Sequence, residues 1–217
     1  MSVSRTSSTT LIGAVRLVVA VVVTGVLGWT YASSIARGST NPFDFFGYFT
    51  NQTSLWSALI FGVTGILLLS KRQVPTWLAA IRGVATACLI VVAVVYNVFV
   101  PGTGSAPPWV STVLHIALPA YAVLDWALVG DRLRLPWRSL WLVLPYPLIW
   151  IAVVLLRGQT DGWVPYGFLL PSRGAGVLLL TSLGLLAMLL VAATAVWGLS
   201  RRRGGVPVDT ETVRRPR

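Results

Sequence analysis

Six long apolar runs divide this 217-residue chain, and they restrict its fold more than any other feature of the sequence. The runs cover about 11–31, 46–69, 77–100, 109–129, 140–156 and 174–199. At a rise of about 1.5 Å per residue, a helix of that length crosses most or all of a hydrocarbon core about 30 Å thick. The sequence therefore predicts an all-α polytopic membrane protein, with a single six-helix transmembrane bundle over 1–199 and a disordered basic tail over 200–217.

Basic side chains concentrate in the segments that follow the second, fourth and sixth runs. They are Lys71, Arg72, Arg132, Arg134, Arg138 and the six arginines between 201 and 217. The alternate loops hold only Arg37, Arg157 and Arg173. Because loops rich in lysine and arginine stay in the cytoplasm, this asymmetry predicts a multi-pass protein of the cell membrane with both termini cytoplasmic.

The formal net charge of +11 raises nucleic acid as a partner, but the excess lies in the predicted cytoplasmic loops and tail. Topology and contact with anionic lipid of the inner leaflet explain it better, and we expect no nucleic-acid partner. The single cysteine, Cys88, excludes an intrachain disulfide, and no cysteine–histidine cluster predicts a metal site. The sequence contains no cofactor motif, and nothing in it indicates an oligomeric state.

Polar side chains gather near the predicted outer ends of the helices. Thr50, Thr53 and Ser57 share one face of the second helix. His115, the only histidine, lies about 9 Å below the start of the fourth helix, and Thr50 lies about 6 Å below the start of its own. The same layer includes Asn51, Gln52, Tyr96, Asn97, Gln159, Asp161, Trp163 and Tyr166. Polar residues at such depth are costly and often functional, although threonine and histidine also tie helices together without any chemistry.

Three charged residues fall in the opposite, cytoplasmic half of the predicted bundle. Arg16, Arg82 and Asp125 lie near the inner ends of the first, third and fourth helices. Asp125 is about 15 Å along the helix from His115, too far to orient its imidazole directly. Because charges within a membrane usually pair, we predict a structural ion pair of Asp125 with Arg82 or Arg16.

Several short motifs resemble a known family. Phe-Thr-Asn-Gln occupies 49–52, His-Ile-Ala-Leu-Pro occupies 115–119, and Gly-Trp-Val-Pro-Tyr occupies 162–166. Together they resemble the androgen-induced and androgen-dependent six-helix membrane threonine hydrolases, and a related prokaryotic six-helix family that shares the Tyr-Phe-Thr-Asn-Gln segment. Eukaryotic members of the first family hydrolyse fatty acid esters of hydroxy fatty acids with a threonine and a histidine. The resemblance implies a nucleophile at Thr50, a catalytic histidine at His115 and an acid at Asp125.

The residues alone are compatible with the same chemistry. A threonine hydroxyl needs a base to become a useful nucleophile, and histidine is the usual base near neutral pH. The side chains placed to contact an oxyanion or a polar part of the substrate are Asn51, Gln52, Thr53, Tyr96, Asn97 and Asp161. We therefore expect a hydrolase that acts on a membrane lipid or lipid-like ester near the outer leaflet. The alternatives are a non-enzymatic lipid-binding or transport protein that uses the same polar layer, and a scaffold whose basic tail holds partners.

Overall fold

The computed structural model describes residues 2–103, 106–132, 134–202, 204–206 and 208, with side chains from residue 7 onward. Its six long helices are α1 (Ser2–Ala36), α2 (Phe49–Leu69), α3 (Thr76–Phe99), α4 (Pro108–Leu128), α5 (Trp137–Thr160) and α6 (Ala175–Leu199). Each is long and apolar enough to cross a membrane, so the predicted all-α fold with six spanning helices is confirmed. Among the described residues, extended pairing is limited to one isolated bridge between Val129 and Val206.

The helices and the apolar runs differ at several ends. α1 extends beyond 11–31 on both sides, and α5 extends beyond 140–156, because an apolar run marks only the part of a helix that suits lipid. The serines and threonines by which α1 extends beyond the apolar run are compatible with a helix, because they leave its backbone hydrogen bonds intact. α1 stops shortly before Gly38, whose φ of +90° is a conformation that glycine adopts without strain.

α2 begins three residues later than the run predicts. Asn41 caps a separate turn, Pro42–Phe45, because its side chain accepts a hydrogen bond from the Phe43 N–H at 3.0 Å. Turn and bend residues at 46–48 then lead to the start of α2 at Phe49. Thr50 is therefore the second residue of α2.

The bundle is built around α3, which packs against α2, α4 and α6, while α1 lies along α2. α1 and α2 approach closely at two glycines: a Cβ on Gly65 would lie 2.8 Å from the Gly13 carbonyl oxygen. Small residues permit such close contact between helices in a membrane. Large apolar side chains on the outside of the bundle, such as Val21, Leu59 and Leu180, are at least 60% exposed, as expected of a surface that faces lipid.

Four charged side chains form a closed cluster at the end of the bundle opposite to Thr50. Arg16 binds both oxygens of Asp125, at 2.8 and 3.0 Å, and also binds Asp131. Arg82 binds Asp131 at 2.6 and 2.9 Å and lies 3.6 Å from Asp125. None of the four side chains is more than 3% exposed. The predicted pairing of Asp125 with Arg16 or Arg82 is confirmed, and Asp125 contacts both.

Asp131 completes this cluster, and the sequence analysis did not name it. Two buried guanidinium groups need two carboxylates if the cluster is to be neutral. Burial alone would raise the pKa of Asp131, but Arg82 and Arg16 outweigh burial and hold the pKa far below its usual value. The need for charge balance could have identified Asp131, since the chain has only six acidic residues and Asp131 lies three residues beyond the end of α4.

The first part of the predicted tail packs against the bundle, which differs from the disorder predicted over 200–217. The Val206 N–H donates to the Leu128 carbonyl, and the Gly130 N–H donates to the Val206 carbonyl, both at 2.9 Å. Arg132, one of the basic residues of the predicted cytoplasmic loop, is only 8% exposed. It donates to four carbonyls near the ends of α4 and α6, those of Ala127, Val129, Leu199 and Arg202. Helix-end carbonyls need such donors, and this need orders the segment; 203, 207 and 209–217 lie outside the described residues.

Candidate functional site

The Thr50 hydroxyl and the His115 imidazole are in contact, as the sequence analysis required of a nucleophile and its base. Thr50 Oγ1 lies 3.3 Å from His115 Nε2, slightly beyond the range of about 2.6–3.2 Å that is typical of such pairs when substrate is bound. His115 Nδ1 lies 3.0 Å from the Ser111 carbonyl oxygen. Because a carbonyl only accepts, Nδ1 carries the proton, and Nε2 presents a lone pair to the Thr50 hydroxyl.

Thr50 lies among backbone N–H groups that no helical carbonyl pairs. Tyr48 is the N-cap of α2, but its side chain makes no capping hydrogen bond. The Gln52 N–H donates to the Tyr48 carbonyl at 3.2 Å, so the N–H groups of Phe49 and Thr50 precede the first bond of the helix. The start of a helix carries partial positive charge and favours negative charge that develops nearby.

Two π-helical turns shape the backbone around the pair. They cover Val95–Phe99 in α3 and Val113–Ala117 in α4. Pro119 has no N–H and cannot pair with the carbonyl of His115, four residues earlier. Asn97 supplies the missing donor, since its Nδ2 donates to the His115 carbonyl at 3.1 Å. Asn97 therefore joins the two irregular turns and holds the backbone of the candidate base.

Two tyrosines enclose the pair from different sides. The Tyr96 ring stacks on the His115 ring, with centroids 3.6 Å apart and an angle of 12° between the planes. The Tyr166 hydroxyl is close to the Thr50 side chain and to the N–H groups of Phe49 and Thr50. Burial raises the pKa of Tyr166 to about 12, although these neighbours favour its phenolate. Tyr96 thus fixes the base, and Tyr166 lies beside the hydroxyl.

Two cavities meet at these residues. The apolar cavity, of about 100 Å³, lies between α3, α5 and α6 and is lined mainly by Val91, Val92, Val95, Leu148, Ile151, Leu185, Leu186 and Leu189. The polar cavity, of about 450 Å³, is lined by groups that include Ser34, Arg37, Ser39, Asp44, Thr103 and Ser111. The residues that line both are Thr50, Tyr96, Val100, His115 and Tyr166. The Thr50–His115 contact therefore lies on the boundary between an apolar and a polar space.

The other predicted site residues have different surroundings. Asn51 lines the polar cavity, and its Nδ2 donates to the Phe45 carbonyl at 2.8 Å. Thr53 is fully buried, and its hydroxyl lies 3.0 Å from that of Tyr146, so it ties α2 to α5. Gln52 is not part of the wall of either cavity. Of the three hydroxyl residues predicted to share one face of α2, only Thr50 therefore lines the cavities, whereas Thr53, one turn later, is buried between helices.

Asp161 fastens the α5–α6 connection instead of lining a cavity. It is exposed and accepts hydrogen bonds from the Trp163 N–H at 2.9 Å and from Arg157 at 2.8 Å. These two donors hold the pKa of Asp161 below its usual value. Arg157 also binds Asp44 at 2.7 Å, which links the turn before α2 to α5. Asp161 therefore supports the loops around the polar cavity without reaching Thr50.

The acid implied by the family resemblance is not beside His115. Asp125 is bound by Arg16 in the charged cluster at the other end of the bundle. The group that orients the imidazole is the Ser111 carbonyl, and a backbone carbonyl leaves no side-chain signature in a sequence. Tyr166 was also not named as a site residue, although the motif at 162–166 contains it.

No protein-family model matches this chain, and neither a curated protein nor a solved structure matches it. Its resemblance to the threonine hydrolases consequently depends on the short motifs at 49–52, 115–119 and 162–166 alone. What the six apolar helices establish is a multi-pass helical membrane protein.

Proposed function

We propose that this protein is a membrane-embedded hydrolase of lipid esters, with Thr50 as nucleophile and His115 as general base. One observation carries the proposal: the 3.3 Å contact between Thr50 and His115 lies where an apolar cavity meets a polar one. A fatty acid ester is divided in the same way, with an acyl chain on one side of its carbonyl and an alcohol on the other. The family resemblance supports the same two roles.

The reaction divides into acylation and deacylation of Thr50. In acylation, His115 Nε2 takes the hydroxyl proton as Oγ1 bonds to the ester carbonyl carbon, and the carbonyl π electrons move onto its oxygen. As the tetrahedral intermediate collapses, the bond to the alcohol oxygen breaks, and that oxygen takes the proton from His115. Water then attacks acyl-Thr50, losing a proton to Nε2. When the bond to Oγ1 breaks, that proton returns to Oγ1, which releases the fatty acid and restores both side chains.

The two cavities determine how such a substrate is oriented. The acyl chain next to the carbonyl occupies the apolar cavity, because burial of methylene groups against valine and leucine side chains is favourable. The alcohol and the attacking water occupy the polar cavity, which is larger and lined by hydroxyls. Thr50 also lies at one end of a spanning helix, near the level at which lipid ester carbonyls meet the acyl region.

We place the Thr50 end at the outer leaflet of the cell membrane and both termini in the cytoplasm, because the basic loops alternate along the chain. Exposed basic side chains at the opposite end would then contact anionic lipid of the inner leaflet. They include Lys71, Arg72, Arg134, Arg138 and Arg202. Reporter fusions in the 101–108 loop and at the C-terminus test this orientation, and an external C-terminus would contradict it.

The decisive experiment treats the purified full-length protein with a fluorescent fluorophosphonate and, separately, with p-nitrophenyl esters. Thr50→Ala should abolish both labelling and cleavage, and His115→Ala should lower kcat by about 10²–10⁴-fold. Thr64→Ala is the matched control, since Thr64 is a buried threonine of the same helix that donates only to the Ile60 and Phe61 carbonyls. Cleavage that persists in folded Thr50→Ala would refute the proposal.

Another outcome would favour the non-enzymatic alternative. Folded wild-type protein that binds lipid esters but neither cleaves them nor reacts with the probe would be a lipid-binding or transport protein. In that case Thr50 and His115 would recognise a headgroup, and both alanine variants should weaken lipid binding.

A further inference from the structure

We propose that Tyr166 is a third catalytic residue, whose hydroxyl donates a hydrogen bond to the oxyanion formed when Thr50 attacks an ester carbonyl. This inference rests on the proposed hydrolase function and adds a role that neither Thr50 nor His115 fills. Acyl transfer requires a fixed donor at the oxygen that becomes negative, and this stabilisation is often the largest single contribution to catalysis.

Aromatic neighbours hold the Tyr166 ring in place. It stacks parallel on Phe168, with centroids 5.2 Å apart and 2° between the planes. It meets Tyr48 edge-on at 5.7 Å and lies 6.0 Å from the Trp150 ring. Trp150 is itself fixed, because its Nε1–H donates to the Gly47 carbonyl at 2.8 Å. A ring confined in this way keeps its hydroxyl in one position, which is the preorganisation that an oxyanion donor needs.

Tyr166 lies beside the attacking group, because it lines both cavities together with Thr50 and His115. The Thr50 hydroxyl and the N–H groups of Phe49 and Thr50 at the start of α2 are close enough to lower the pKa of Tyr166, against the larger effect of burial. In the tetrahedral intermediate, the oxyanion is only two bonds away from Thr50 Oγ1, so a donor beside Oγ1 can reach it. The partial positive charge at the start of α2 favours electron density on the nearby phenol oxygen and so strengthens the Tyr166 O–H as a donor to the oxyanion.

Of the amides considered from the sequence, Gln52 lines neither cavity, and the other two donate elsewhere. Asn97 Nδ2 donates to the carbonyls of Ala93, at 2.8 Å, and His115, at 3.1 Å. Asn51 Nδ2 donates to the Phe45 carbonyl at 2.8 Å. Tyr96, the other tyrosine that lines both cavities, stacks on the base. Tyr166 is the side-chain donor that remains beside Thr50.

The phenol keeps its proton through the catalytic cycle. Burial raises the pKa of Tyr166 to about 12, so the group is a hydrogen-bond donor at neutral pH. As the carbonyl π electrons move onto oxygen, the Tyr166 O–H donates to that oxygen, and the bond weakens when the carbonyl re-forms. The Thr50 proton still passes to His115 and then to the alcohol, so no proton leaves Tyr166.

The test compares Tyr166→Phe with Tyr121→Phe in the full-length protein, with a p-nitrophenyl ester as substrate. Tyr121 is a partly buried tyrosine that packs against Phe61, with centroids 5.1 Å apart, and it lines neither cavity. Loss of the oxyanion donor should lower kcat by about 10²–10³-fold and change KM by less than about twofold. Tyr121→Phe should retain the wild-type kcat. A kcat for Tyr166→Phe within about twofold of wild type would overturn the proposal.

A second variant distinguishes a catalytic role of the Tyr166 hydroxyl from a structural role at the start of α2. Replacement of Tyr166 by 3,5-difluorotyrosine keeps the ring and the hydroxyl but makes the phenol more acidic. Its kcat should decline at alkaline pH where that of the wild type does not, because a phenolate cannot donate a hydrogen bond. Identical pH profiles would overturn the proposal. Wild-type protein that fails to cleave esters, or Thr50→Ala protein that cleaves them, would instead refute the hydrolase function, so the two failures are distinct.

Discussion

The polar residues at the two ends of this bundle have opposite surroundings. At one end, Arg16 and Arg82 share Asp125 and Asp131 within a cluster whose side chains are at most 3% exposed. At the other end, Thr50 and His115 make one long contact and face two cavities. The carboxylates and guanidinium groups of the first set neutralise one another, although Arg82 Nε has no hydrogen-bond partner among the described residues, whereas the second set leaves a lone pair and a hydroxyl accessible to another molecule. Intramembrane polarity alone therefore does not indicate function; the distinguishing property is whether the polar groups are buried among one another or face a cavity.

Breaking the charged cluster should have the largest effect on folding. Asp131→Asn removes a carboxylate that both Arg16 and Arg82 bind, and the uncompensated buried charge should lower the free energy of unfolding by about 3–5 kcal/mol. Thermal unfolding in detergent measures this effect, with Arg72→Gln in an exposed loop as the control. Thr50→Ala should cost only about 1 kcal/mol, the value of one hydrogen bond. Equal destabilisation by Asp131→Asn and Thr50→Ala would remove the distinction between the two ends.

The helices were predictable because apolar runs are visible in a sequence, and Thr50 could be paired with His115 because both lie near the same predicted end of the bundle, although Thr50 is the second residue of α2 and not about 6 Å below its start. The Ser111 carbonyl was not predictable, since a backbone acceptor has no side-chain signature. Tyr166 was placed in the outer polar layer, but its loop position gave no sign of a role beside Thr50. Asp131 escaped notice because it lies beyond an apolar run, next to loop arginines. Periodicity along one helix thus identifies faces and depth, whereas the partners of each group depend on packing between segments.

Filling the apolar cavity should change substrate selection at the Thr50 end without affecting the charged end. Leu186→Trp places a larger side chain in the wall of this cavity. We expect kcat/KM for a long-chain ester to fall about 10–100-fold, while an acetate ester changes by less than about threefold. The matched control is Leu183→Trp on the same helix, because Leu183 is 52% exposed on the outside of the bundle. An equal loss for both esters would argue against an acyl chain in this cavity.

Thermal stability and activity should depend differently on pH, because stability depends on the charged cluster and activity on the Thr50 end. Burial would raise the pKa of Asp131, but Arg82 and Arg16 outweigh it and hold the pKa far below its usual value. A carboxyl with a lowered pKa contributes stability above its unfolded pKa of about 3.9, and that stability is lost as the pH falls through the folded pKa. The cluster should therefore leave thermal stability level between about pH 5 and 8. Only neutral His115 can act as a base, so kcat/KM should decrease by about tenfold for each unit that the pH falls along the acidic limb of the pH profile. Parallel measurements of activity and unfolding check this, and an acid loss of activity that coincides with unfolding would contradict it.

The central claim is that His115 activates the Thr50 hydroxyl as a nucleophile, and the most direct measurement is the location of a covalent adduct. Full-length protein treated with a fluorophosphonate is digested, and the modified peptide is identified by mass spectrometry. The geometry predicts a phosphonyl group on Thr50 of the wild type, and no adduct in folded His115→Ala protein, where the base that faces Oγ1 at 3.3 Å is missing. An adduct on a different residue, or an unmodified Thr50 in folded wild-type protein that cleaves esters, would contradict the claim.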